Sequence, residues 1–110
     1  MTHAELKALP NGEINDLIAD FMPGWKRCPE RAYCVRYLDD RPNEGIAMYP
    51  ATDDNDMRLV RAEIERRGLT KEFCCELRSI AGIDAWSMLN ATPRQQAEAA
   101  LLAVQKEPTT

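Results

Sequence analysis

Thr92-Pro93-Arg94-Gln95-Gln96-Ala97-Glu98-Ala99-Ala100-Leu101-Leu102-Ala103-Val104 declares a helix from its first residues. Thr92 is a capping side chain, Pro93 suits a first helical position whose N–H has no intrahelical partner, and Gln95 completes a capping box. Ala97, Ala100, Leu101 and Val104 share one stripe. Alanines there let the helix come close to what it covers, which is expected to be a sheet. Beyond it, residues 106–110 are polar and expected to fray.

Two other segments have the same helical period. In Glu13 to Met22 the apolar residues Ile14, Leu17, Ile18, Phe21 and Met22 recur at helical spacing, with Asn11-Gly12 before them as a cap and turn and Pro23-Gly24 as a stop. In Met57 to Arg67 the stripe is Met57, Val60 and Ile64, preceded by Asp53-Asp54-Asn55-Asp56 at the helix start and followed by Gly68 as a C-terminal cap. Asp54 with Arg58 and Glu63 with Arg67 form i,i+4 pairs on its wet side. Thr2-x-x-Glu5 has capping-box form and starts a short turn of helix ending before Pro10.

Between the helices the period changes to two. Tyr33 to Leu38 is rich in β-branched and aromatic residues, and Ile46 to Tyr49 is a second extended run across a polar turn, so the two are expected to pair. Lys71 to Arg78 places Phe73, Cys75 and Leu77 on one face and charged residues on the other, which predicts a half-buried strand, with Asp84 to Leu89 as its antiparallel return. The expected fold is therefore α+β, with a small antiparallel sheet, helices packed on it and the order α-β-β-α-β-β-α. The 110 residues suit one domain, with an ordered core over about residues 13–105.

Lys and Arg number 14 against 18 Asp and Glu, a net charge of −4, so the chain lacks the basic field that broad nucleic-acid binding needs. No apolar run approaches a membrane span, and the first residues carry no export signal, so the cytoplasm is the expected compartment. Cys28, Cys34, Cys74 and Cys75 lack the paired spacing of a zinc site and are expected as free thiols.

The segment Ile14-Asn15-Asp16-Leu17-Ile18-Ala19-Asp20-Phe21-Met22-Pro23-Gly24-Trp25-Lys26 resembles the opening of the phage ABA sandwich domain family. Tyr49-Pro50-Ala51-Thr52-Asp53, leading into the Met57 to Ile64 helix, is similar to that family's central segment. Ala91-Thr92-Pro93 with the alanines that follow is similar to its closing helix. The chain departs from the pattern at residues 44–48, 70–77 and 94–96. The resemblance implies a three-layer α-β-α sandwich and a phage or prophage protein in the host bacterial cytoplasm, with no catalytic residue to carry over.

Chemistry is sparse. The single histidine, His3, sits near the chain start and is not expected to serve as a base; no catalytic residue, metal ligand or cofactor is assigned. The acidic run at residues 53–56 is explained by helix capping rather than a cation site. The one interaction candidate is Trp25, Lys26, Arg27, Arg31, Tyr33, Arg36 and Tyr37, with Arg41 nearby, a basic and aromatic cluster in an acidic chain. The functional expectation is a non-enzymatic accessory protein that binds a host or phage macromolecule, as a small homo-oligomer, with Trp86 a core or oligomer contact. The alternative is a protein that binds or sequesters a nucleotide-like anion between that cluster and a tyrosine.

Overall fold

In the computed structural model, residues 1–107 are described, Pro42 by its backbone alone. Helix α6 (Pro93–Gln105) starts as its sequence demands: Gln95 N–H donates to Thr92 Oγ1 at 3.1 Å and Thr92 N–H donates to Gln95 Oε1 at 2.9 Å. Ala97, Ala99, Ala100 and Ala103 are all fully buried, so alanine lines more than one side of the helix. Such a helix packs closely against several neighbours at once. It touches α1 (His3–Lys7), α2 (Asn11–Phe21), α3 (Asp54–Arg66) and α4 (Thr70–Ala81), and the surface its alanines approach is helical rather than a sheet.

Helix α2 puts Ile14 and Ile18 into the core. Asn11 and Gly12 form its first turn instead of capping it, because Pro10 is the N-cap residue. Buried among the apolar residues, Asn15 donates from Nδ2 to the Ala32 carbonyl at 2.7 Å and accepts the Ala51 N–H at 2.9 Å, tying α2 to the two loops that hold those residues. Gly24 then turns the chain with φ +79°, a conformation that favours glycine.

The sheet is antiparallel in the order β1 (Trp25–Lys26), β2 (Cys34–Leu38), β3 (Arg41–Met48). Strand alternation places Trp25, Cys34 and Met48 against the helices, all buried, while Lys26, Val35, Tyr37, Gly45 and Ala47 share the other face and none of them is buried. Helices cover one face of the sheet, chiefly through α2. Glycine at position 45 is a matter of space: a Cβ there would lie 2.4 Å from Val35 Cγ1.

The α+β class holds, and so does the small antiparallel sheet with helices packed on it; the order of elements does not. Residues 70–81 are helix α4, not a strand, and residues 85–89 are a short helix α5 (Ala85–Leu89), not its return. Phe73 and Leu77 lie two strand steps apart, but also one helical turn apart, and Ile80 and Ala81 continue the helical spacing onto α6. Cys75, assigned to the buried face of a strand, is exposed. At α5, Asp84 accepts the Ser87 N–H at 2.8 Å and turns the chain helical. The order is α-α-β-β-β-α-α-α-α. The core also begins before residue 13, since Leu6 is buried. Lys106 pairs with Glu76 and Glu107 with Arg67, so these two residues are held; residues 108–110 lie outside the described residues.

One charged group expected on the wet side of α3 is buried. Glu63 is only 6% exposed and accepts from Arg66 Nε at 2.7 Å, Arg66 Nη2 at 2.6 Å and Arg67 Nε at 2.7 Å. Arg67 continues to the Phe21 carbonyl at 2.6 Å, joining α3 to the end of α2. Asp54 pairs with Arg61 at 3.2 Å rather than with Arg58. The hydrogen bond from Arg66, reinforced by Arg67, holds the Glu63 carboxyl below the usual carboxylate range although burial acts against it. A folded-state value below the unfolded one means the contribution is fully present above the unfolded pKa of about 4.3 and is lost as pH falls through the folded value. Glu63→Gln is therefore expected to lower stability by about 2 kcal/mol at pH 7, with the gap to wild type narrowing on acidification, as urea denaturation at neutral and acidic pH will register.

Candidate functional site

The seven candidate residues fall into separate places. Trp25 is 5% exposed and belongs to the core, and Arg36 stands opposite it on the helix-covered face of the sheet. The two line a groove of about 240 Å³ with Met22, Leu59, Glu63 and Arg66. Lys26 and Tyr37 lie on the uncovered face and share a shallow groove of about 520 Å³ with Gly24, Leu38 and Asp39. Arg27 is engaged by Asp20, its Nε donating to Oδ1 at 2.7 Å and its Nη2 to Oδ2. Arg31 is exposed in a turn whose N–H reaches the Cys28 carbonyl at 3.0 Å. Tyr33 stands edge-on to Tyr49, ring centres 5.5 Å apart. Arg41 pairs with Glu44 at 3.5 Å.

The cluster seen in sequence is thus divided by strand alternation and partly neutralised by carboxylates. Lys26 and Tyr37 are the pair that stays together. Neighbours in sequence at positions 25 and 26, or 36 and 37, necessarily face opposite ways.

Two features escaped the sequence analysis. His3 is held in place: its Nε2 meets Glu98 Oε1 at 3.0 Å, while Arg94 Nε donates to Glu98 Oε2 at 2.8 Å. Arg94 also donates to the carbonyls of Leu6 at 2.9 Å and Leu9 at 2.8 Å, and to Asn11 Oδ1 at 2.6 Å. Its donors are therefore spent on joining α1 and the start of α2 to α6. A cavity of about 320 Å³ lies over this group, lined by His3, Lys7, Leu9, Ile80, Arg94, Gln95 and Glu98, with no hydroxyl or thiol side chain on its wall among the described residues. An imidazole and a carboxylate meet there, with the Lys7 amine on the same wall.

The second feature is apolar. Ile83 is 77% exposed, Trp86 75% and Leu89 81%; Ile83 lies just before α5, and Trp86 and Leu89 lie within it. Trp86 was expected as a core or oligomer contact; its exposure rules out the core alternative. Helix α5 touches α4 and leaves these side chains in water.

Compared with known proteins, the chain matches no family model, no curated protein and no solved structure.

Among the described residues, no three His, Cys, Asp or Glu side chains come together as a metal site, and no helix is long and apolar enough to cross a membrane. The acidic run does helix work: Asp53 accepts the N–H groups of Asn55 and Asp56, and Asp56 Oδ2 accepts the Tyr49 N–H at 2.8 Å. The four cysteines are unpaired and differ in reach. Cys34 is fully buried, and burial pushes its thiol pKa up to about 12, so it carries no appreciable thiolate near pH 8. In a timed reaction with a disulfide reagent at that pH, Cys75 is expected to react first and Cys34 only on addition of denaturant.

Proposed function

We propose that the chain is a non-enzymatic binding protein, an accessory protein of phage or prophage origin in the host cytoplasm, that engages a host or phage protein through the corner formed by Ile83, Trp86 and Leu89. The observation that carries this reading is the exposure of those three side chains, each at least three-quarters in water on a chain whose other large apolar residues mostly pack. Exposed apolar patches of about 300–600 Å² on single chains are often functional. Tryptophan is the side chain that most often dominates such contacts. The net charge of −4 favours a protein over a nucleic acid as the partner. The phage assignment is supported by the sequence resemblance alone.

The test uses Trp86→Ser with Leu89→Ser. Because both side chains already lie in water, the double variant should keep the wild-type melting temperature. A partner retained by the immobilised wild-type chain from infected host extract, then purified, should bind the variant at least about tenfold more weakly. Equal affinity for both would remove the corner from the account.

The groove shared by Lys26 and Tyr37 supports a second reading, in which a nucleotide-like anion stacks on the tyrosine and pairs with the lysine. A ligand bound to the folded state alone must raise the melting temperature. This reading expects such a rise with a nucleotide at millimolar concentration, removed by Lys26→Glu. No rise with any nucleotide ends it.

A further inference from the structure

We infer that the free edge of β3 is a pairing edge for a second copy of this chain, joining two three-stranded sheets across a two-fold axis near Ile46. The N–H and C=O of one strand residue point to the same side, and successive residues point to opposite sides. Tyr37 N–H donates to the Gly24 carbonyl at 2.9 Å, so Tyr37 and Val35 point toward β1, while Cys34 and Arg36 point toward β3. With Arg36 opposite Ile46 and Cys34 opposite Met48, the backbone groups of Ile46 and Met48 close the ladder with β2. Those of Gly45 and Ala47 point the other way, off the edge of the sheet.

An independent contact confirms this parity. Tyr49, two residues beyond Ala47, should also point outward, and its N–H is accepted by Asp56 Oδ2 at 2.8 Å rather than by β2. The chain therefore satisfies the outward amide at the end of β3. Among the described residues nothing accepts the amides of Gly45 or Ala47, and residues 43–47 are exposed. An unpaired row of this kind is a template for another strand unless charge or irregularity blunts it. Blunting is confined to the first half of β3, where Arg41 pairs with Glu44 and the register shifts next to Leu38.

A second β3 fits the remaining half in one register. With Ile46 opposite its own copy, Gly45 faces Ala47 of the second chain and Ala47 faces Gly45, so every outward group of the two residues on both chains is paired. Ile46, 43% exposed, is covered by its counterpart, and no like charges stand opposite each other. Registers centred on Glu44 oppose two carboxylates. A two-fold axis perpendicular to the sheet keeps the helix-covered faces on the same side.

Two proline variants and hydrogen exchange test this in the full chain. Ala47→Pro removes an amide that the chain's own sheet does not use, so the variant should fold as wild type does while the dimer dissociation constant rises about tenfold or more. Ile46→Pro removes an amide from the ladder with β2 and should lower the melting temperature clearly. In the wild-type chain, sedimentation should show a dimer forming with concentration, and the Gly45 and Ala47 amides should become protected over the same range. A chain that stays monomeric at several hundred micromolar overturns the inference. So does a dimer that Ala47→Pro leaves intact, or equal tolerance of proline at positions 46 and 47.

Discussion

The close approach of helices to α6 is the constraint on which the rest of the molecule depends. Alanine at positions 97, 99, 100 and 103 gives that helix small side chains on more than one side, so α2, α3 and α4 can all lie against it. A larger residue at any of these positions has nowhere to go in a core packed at crystal-like density. The same geometry explains why α6 tolerates Glu98 among its buried residues: Arg94 and His3 satisfy it, and Arg94 holds the loop between α1 and α2 with the rest of its donors. Polar and apolar packing therefore act on the same helix.

The sheet is attached to this helical body by fewer and more specific contacts. Asn15 bridges two loops, Asp16 accepts the Cys28 N–H at 3.1 Å, and Trp25, Cys34 and Met48 supply the apolar seam. Asn15 and Asp16 are buried, so removing a partner of either leaves an unpaired polar atom inside, away from the water that would satisfy it in the unfolded chain. With one face so engaged, the other face and the β3 edge stay in solvent. Both surfaces to which we assign partners, the α5 corner and the β3 edge, lie where the alanine-centred packing does not reach.

How much of this was legible in the sequence varies with how local the signal is. Thr92 with Gln95, Thr2 with Glu5, Asp53 before α3 and Gly68 after it each specify a helix end through their own chemistry, and each does so in the structure. Strand β2 carries a clear β-rich composition; β3 does so only from Ile46, and residues 41–45, expected as part of a polar turn, extend it toward the start while Tyr49 lies beyond its end. Residues 70–89 misled because alternation over Phe73, Cys75 and Leu77 also meets the i,i+4 rule for Phe73 and Leu77, and only packing against α6 decides between them. The basic and aromatic cluster was legible as composition but not as a site. Whether Arg27 is free depends on Asp20, a turn of helix and a loop away, and which face Lys26 shares depends on β-pairing. The burial of Glu63 and the anchoring of His3 depend on tertiary contacts that no local pattern encodes.

Native-state hydrogen exchange along α6 tests the central claim most directly. If its alanine-lined contacts organise the domain, the amides from Ala97 to Ala103 exchange only through global unfolding, with an opening free energy equal to that from denaturant titration. Exchange of those amides at a clearly lower free energy than those of α2 or β2 would contradict the account, because α6 would then open while the elements said to depend on it stayed folded.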